Sequence, residues 1–200
     1  MGDAAAPLEV GGYVLAGGRS TRMGRDKALL ELGGRPLIEI AVGKLRGVCA
    51  EVRILAGAES GGGGLGAWGP VVFDRHAGCG PIGGIEAALA ESEFDWNLIV
   101  PVDMPLLPKE FLGEWVREVV GRRGVRVAIF EVGGRRRAMP LMVRREVGGS
   151  LTRAIERGEY GLLAALEGAG EEIFVRSAEG REGWFANLNT PEEWAAVEGA

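Results

Sequence analysis

The sequence predicts a doubly wound α/β fold: a single Rossmann-like domain over residues 1–200, with a mostly parallel sheet and helices on both faces. Three observations carry that reading. Short apolar runs alternate with helical patterns along the chain, at intervals that suit right-handed crossovers between parallel strands. Prolines stand at helix openings, where the missing N–H removes no helical hydrogen bond. Neither an internal repeat nor a composition break divides the chain.

The elements follow in order. Val10 to Ala16 is the first strand, its apolar run Tyr13-Val14-Leu15-Ala16 breaking at Gly17-Gly18. A polar loop with Arg19, Arg22, Arg25 and Lys27 comes next. Pro36 opens a helix to about Leu45, Glu51 to Ala56 forms a second strand, and Val71-Val72-Phe73 a short third one ending at Asp74. Pro81 starts a helix over Ile82 to Ala90, and Trp96 to Val100 is a fourth strand closing on Pro101. Pro108 to Val120 reads as helix and Val125 to Val132 as strand, with Gly133-Gly134 turning a hairpin into Ala138 to Val143. Two helices, Glu146 to Glu156 and Gly161 to Leu166, precede a short strand at Glu172 to Val175. The capping box Thr190-Pro191-Glu192-Glu193 starts a last helix. The run Gly61 to Gly64 is the one low-complexity patch, read as a surface loop.

Charge narrows the function. With 23 Lys and Arg against 28 Asp and Glu, the net charge is -5, which argues against a nucleic-acid coat or an anionic-membrane binder. The cations are local, at Arg19 to Lys27 and at Arg135-Arg136-Arg137, and suit a small anionic ligand better than a polymer, the second cluster also reading as a solvated turn. Cys49 and Cys79 form no CxxC pair, so neither a zinc site nor a disulfide framework is expected. No apolar run reaches the roughly 18 residues of a membrane span, and the start of the sequence lacks a secretory pattern, so a cytoplasmic protein is expected.

In open parallel sheets, ligands bind beyond the carboxyl ends of the strands. The residues just past each strand therefore form a set: the glycine and cation loop, Asp74, Asp103 in Pro101-Val102-Asp103-Met104-Pro105, and Asn187-Leu188-Asn189. Glycines let backbone N–H groups approach an anion, and Arg and Lys add charge-assisted hydrogen bonds. The spacing is neither a P-loop nor a dinucleotide GxGxxG. Asp103, stiffened by two prolines, suits a hard cation such as Mg2+; an isolated D-x-P would be read first as a turn aspartate, but the cation loop in the same chain favours the metal. Asp74 reads equally as a ligand contact in this crevice and as an Asx turn or a helix N-terminal anion. Arg22 and Lys27 read as neutralising phosphate, or as a solvated basic loop. His76 has no partner visible in the sequence, and the five tryptophans read as packing residues, with Trp68 and Trp184 in loops.

These segments, Leu15-Ala16-Gly17-Gly18-Arg19 through Arg22-Met23-Gly24-Arg25-Asp26-Lys27, Asp74 through Gly80-Pro81-Ile82-Gly83-Gly84-Ile85, Asp103-Met104-Pro105, Pro140-Leu141 and Asn187-Leu188-Asn189-Thr190-Pro191, resemble in order the motifs of the molybdenum cofactor guanylyltransferases. The first motif alone marks the wider nucleotidyltransferase superfamily. The resemblance implies Mg2+-dependent transfer of GMP from GTP to molybdenum-molybdopterin, with pyrophosphate released, and implies protein partners that deliver the pterin and receive the product. It assigns Leu15, Ala16, Gly17, Gly18, Lys27, Asp74 and Asp103 to the nucleotide, Asp103 to the metal, Arg22, Lys27 and Asp103 to catalysis, and Arg19, Asn187 and Asn189 to the phosphate or acceptor side. Two departures stand out. The Asn that often ends the second strand is absent from Arg53-Ile54-Leu55-Ala56-Gly57. A polar residue before the acceptor-side proline is replaced in Ala138-Met139-Pro140-Leu141, which shifts pterin recognition toward Arg135 to Arg137. A cytidylyltransferase on the same pterin, another nucleotidyltransferase of this fold, and a nucleotide-binding regulatory domain without turnover are the alternatives.

Overall fold

The computed structural model describes residues 8–17, 27–57 and 64–188. Seven of its strands make one sheet. They are β1 (Leu8–Leu15), β4 (Cys49–Ala56), β5 (Val71–Phe73), β6 (Trp96–Pro101), β7 (Val127–Val132), β8 (Arg135–Arg144) and β9 (Ile173–Ser177), in the order β5-β4-β1-β6-β8-β7-β9. β1 lies between parallel β4 and β6, β5 adds parallel to β4, and β9 adds parallel to β7. β8 alone runs against its neighbours β6 and β7. The short strands β2 (Glu31–Leu32) and β3 (Arg35–Pro36) form a separate hairpin, which the sequence reading missed. Its turn is Gly33-Gly34, both at positive φ as a two-residue hairpin turn demands.

Side-chain alternation along the strands feeds two cores. Val10, Val14, Ile54, Leu98 and Val100 face one side, under α1 (Leu37–Arg46) and α3 (Lys109–Val120). Tyr13, Leu55 and Ile99 face the other, under α2 (Pro81–Glu91), α4 (Gly148–Glu156) and α5 (Leu162–Gly168). Helices on both faces explain why β6 is buried along nearly its whole length. The elements expected from sequence are all present where they fall within the described residues, and their ends move by a few positions. The helix expected after Thr190 lies outside the described residues. Across Val125 to Gly170, β7, β8, α4 and α5 extend the main sheet and its second core. Among the described residues no helix is long and apolar enough to cross a membrane.

Glycine inside β1 has a packing reason. Asn97, fully buried on β6, accepts from the Ser92 hydroxyl at 2.5 Å and donates to Phe94 O at 3.3 Å. Gly11 is its register partner, and a Cβ there would stand 2.8 Å from Asn97 Oδ1 and 3.0 Å from the Phe94 ring. Gly11→Ala is therefore expected to lower the unfolding free energy by about 1–3 kcal/mol, the usual cost of overpacking a fixed site. Urea unfolding measures it, and an unchanged midpoint would show that the Asn97 amide yields freely.

Candidate active site

The strand ends are laced together one residue past the sheet. Ala16 N–H and Gly17 N–H both donate to Leu55 O, at 2.9 and 3.0 Å, and Val102 N–H donates to Leu15 O at 3.0 Å. Asp74 N–H donates to Ala56 O at 3.1 Å. A Cβ on Gly17 would lie 2.9 Å from Gly57 N, so glycine allows β1 to leave the sheet against the end of β4. Leu15, Ala16, Gly17, Asp74 and Asp103 are thereby brought to one carboxyl edge. Gly18, Arg19, Arg22 and Asn189 lie outside the described residues.

Asp103 is the centre of this edge. Its Oδ2 meets Lys27 Nζ at 2.8 Å, with the two side chains 20% and 15% exposed. Leu188 N–H donates to Asp103 O at 3.1 Å, which seats Asn187 beside the acidic loop. Asn187 Oδ1 is buried and has no hydrogen-bond partner among the described residues. A carboxylate and an orphaned amide oxygen are acceptor atoms of the kind a hard cation takes. Among the described residues no group of three or more His, Cys, Asp or Glu side chains could enclose a metal.

The second carboxylate is fixed differently. Asp74 Oδ1 accepts from His76 N–H at 2.7 Å, an Asx-type turn that leaves the carboxylate further lone pairs. Both oxygens lie against α2: a Cβ on Gly83 would come within 2.4 Å of Oδ1 and 2.7 Å of Oδ2. The turn reading and the ligand reading of Asp74 are compatible, since the turn uses one acceptor position. His76 has a partner that the sequence did not reveal: its Nε2 lies 3.7 Å from Glu86 Oε2, and Glu86 Oε1 accepts from the Thr152 hydroxyl at 3.0 Å.

Other expectations resolve by contact. Trp96 and Trp115 are buried. Trp68 packs on the first core, and Trp184 packs edge-on to Phe111 at 5.1 Å under the Arg181 guanidinium, so both act as packing residues. The end of β4 offers a ligand backbone rather than a polar side chain, since Leu55 and Ala56 are buried where the expected Asn is missing. The three arginines are exposed at the β7–β8 hairpin, past the last β6–β8 pair, Ile99 with Leu141. Arg136 is taken up by Glu167 of α5 at 2.8 Å, while Arg135 and Arg137 pair in register with Val132 and Phe130, whose side chains join the opposite core.

Sequence reasoning missed Lys44. From the last turn of α1 its ammonium donates to Met104 O at 3.5 Å and to Pro105 O, just after Asp103. Burial pulls its pKa down to about 8, although the carbonyl acceptors favour the charged form. A lysine in the last turn of a helix reads as macrodipole compensation, so nothing in the sequence pointed to this role.

The profile of the MobA-like NTP transferase domain matches residues 12–174. A molybdenum cofactor guanylyltransferase of Xanthomonas euvesicatoria pv. vesicatoria is 32% identical over 198 residues, covering 93% of each chain. A relative from Pelotomaculum thermopropionicum is 48% identical over 103 residues, so that the alignment spans 52% of this chain and 49% of that one. Among solved structures, molybdopterin-guanine dinucleotide biosynthesis protein A of Archaeoglobus fulgidus superposes with a TM-score of 0.79 at 25% identity, over 95% of this chain and 97% of its own.

The unfolded chain keeps the Lys44 proton up to the ordinary value of 10.5, whereas the folded chain releases it near 8. Between those values the unfolded state binds more protons, so stability rises with pH there. Wild type is expected to gain stability relative to Lys44→Met between pH 7.5 and 9.5 in urea unfolding. A constant difference would mean that Lys44 is not desolvated.

Proposed function

This chain belongs to the MobA-like NTP transferase family, a family of nucleotidyltransferases, and from that premise we propose that it transfers GMP from GTP to molybdenum-molybdopterin, releasing pyrophosphate. The observation that supports the reading best is the pairing of Asp103 with Lys27 at the carboxyl edge, with Asp74 past the end of β5 at the same edge. An oxygen of the pterin's terminal phosphate forms a bond to the α-phosphorus of GTP, and the bond from that phosphorus to the bridging oxygen of the β-phosphate breaks. No proton has to move from an already ionised phosphate, so the rate comes from positioning and electrostatics.

The roles follow from chemistry. Gly17 lets the chain leave β1 tight against the end of β4, into the loop that would bind the nucleotide phosphates. Asp74 has free acceptor capacity for the N1–H and amino group of guanine, a pair of donors that cytosine does not present in that arrangement. Lys27, with Arg22 and Arg19 from the preceding loop, balances negative charge on the triphosphate and the leaving pyrophosphate. Asp103, with Asn187 beside it, would hold Mg2+. That ion would neutralise phosphate charge and orient the phosphate oxygens. Asn189 and the exposed Arg135 and Arg137 of the hairpin run suit the anionic acceptor.

Calorimetry with GTP and CTP in Mg2+ tests base choice and residue roles together. Wild type is expected to prefer GTP by about tenfold or more, the worth of one good charged hydrogen bond. Asp74→Ala is expected to abolish the preference, and Asp103→Ala to retain GTP but lose pyrophosphate release by a factor of about a hundred or more. A CTP preference would move the chain to cytidylyl transfer, and GTP binding by wild type with no pyrophosphate release when Mg2+ and molybdenum-molybdopterin are also supplied would make it a regulatory domain.

A further inference from the structure

The loop that presents Asp103 cannot brace itself. Pro101, Pro105 and Pro108 supply no N–H, and the loop's internal hydrogen bonds are long, with Met104 N–H to Pro101 O and Leu107 N–H to Met104 O both at 3.4 Å. External anchors exist up to Asp103: Val102 N–H binds Leu15 O at 3.0 Å, and Asp103 O accepts from Leu188 N–H at 3.1 Å. The next two carbonyls, Met104 O and Pro105 O, turn toward α1 and accept from Lys44 Nζ. A lysine ammonium carries three donors on a compact head, so one group can serve both carbonyls, and its charge strengthens each bond.

We propose that Lys44 is a positioning residue for Asp103: its ammonium ties the carbonyls that follow Asp103 to α1 and so fixes where the carboxylate stands relative to Lys27 and an arriving divalent cation. The inference rests on the nucleotidyl-transfer reading of the site. Lys44 acts through the backbone and touches neither nucleotide nor metal. The same bracing explains why a largely buried charge is kept at a helix end where an apolar side chain would pack without a desolvation cost.

The experiment measures Mn2+ binding by electron paramagnetic resonance on the full chain loaded with GTP, alongside turnover. Lys44→Met keeps the length of the side chain but donates nothing. It is expected to weaken Mn2+ binding about tenfold and to lower kcat by a similar factor, with the KM for GTP within about twofold of wild type. Lys44→Arg, which keeps charged donors, is expected to restore most of both. A folded Lys44→Met with wild-type Mn2+ affinity overturns the proposal, even if its thermal midpoint has moved, because a merely structural lysine would change stability alone. Should Lys44→Met not fold, Lys44→Gln is measured against the same criterion. Wild type that binds no GTP would instead sink the functional reading, which keeps the two failures apart.

Discussion

The position of β1 between two parallel neighbours is the constraint on which the site depends. One residue beyond its own end, β1 is still hydrogen-bonded on both sides: Leu15 O accepts from the β6 loop at Val102, and Ala16 and Gly17 donate to Leu55 of β4. The ends of β4, β1 and β6 are therefore tied to one another at this edge. Two carboxylates and a lysine, far apart in sequence, inherit their spacing from this lacing. Few of those contacts involve a side chain, so the frame tolerates sequence change along the edge except at Gly17, where Gly57 N leaves no room for a Cβ.

Most of the fold was legible because its signals are local and redundant. Apolar runs bounded by glycine and proline marked the strands, and Pro36 and Pro81 stand at the openings of α1 and α2. The β2–β3 hairpin escaped because two-residue strands bury little and leave no periodicity, so only Gly33-Gly34 announces them. The packing of Gly11 on Asn97 was likewise invisible. It depends on the register between β1 and β6, which sequence does not state.

Residue types at the site were legible; their partners were not. Asp103 and Lys27 were each singled out for charge and placement, but their mutual ion pair joins positions 76 residues apart. Asp26, next to Lys27 in the sequence, lies outside the described residues. His76 looked partnerless because Glu86 lies on the helix that packs beside it. Lys44 was the deepest omission: its acceptors are backbone carbonyls, which carry no sequence identity. Gly83 is similar, since what it accommodates is the Asp74 carboxylate rather than a motif position.

The Lys27–Asp103 pair also governs how changes at this edge should be read. Neither side chain is more than a fifth exposed, so each charge relies on the other for much of its compensation. Removing Asp103 does two separable things: it deletes a metal oxygen, and it leaves the Lys27 ammonium without that carboxylate. The second change raises the local positive charge by one unit, beside a loop that already carries Arg19, Arg22 and Arg25. Attraction for a polyphosphate should then hold or strengthen, because the field facing the ligand has become more positive. Loss of turnover with retained nucleotide binding is therefore the signature of a carboxylate that acts on the chemistry. Loss of both would instead point to collapse of the strand-end lacing, since the backbone bonds of Val102 and Leu188 flank the same residue.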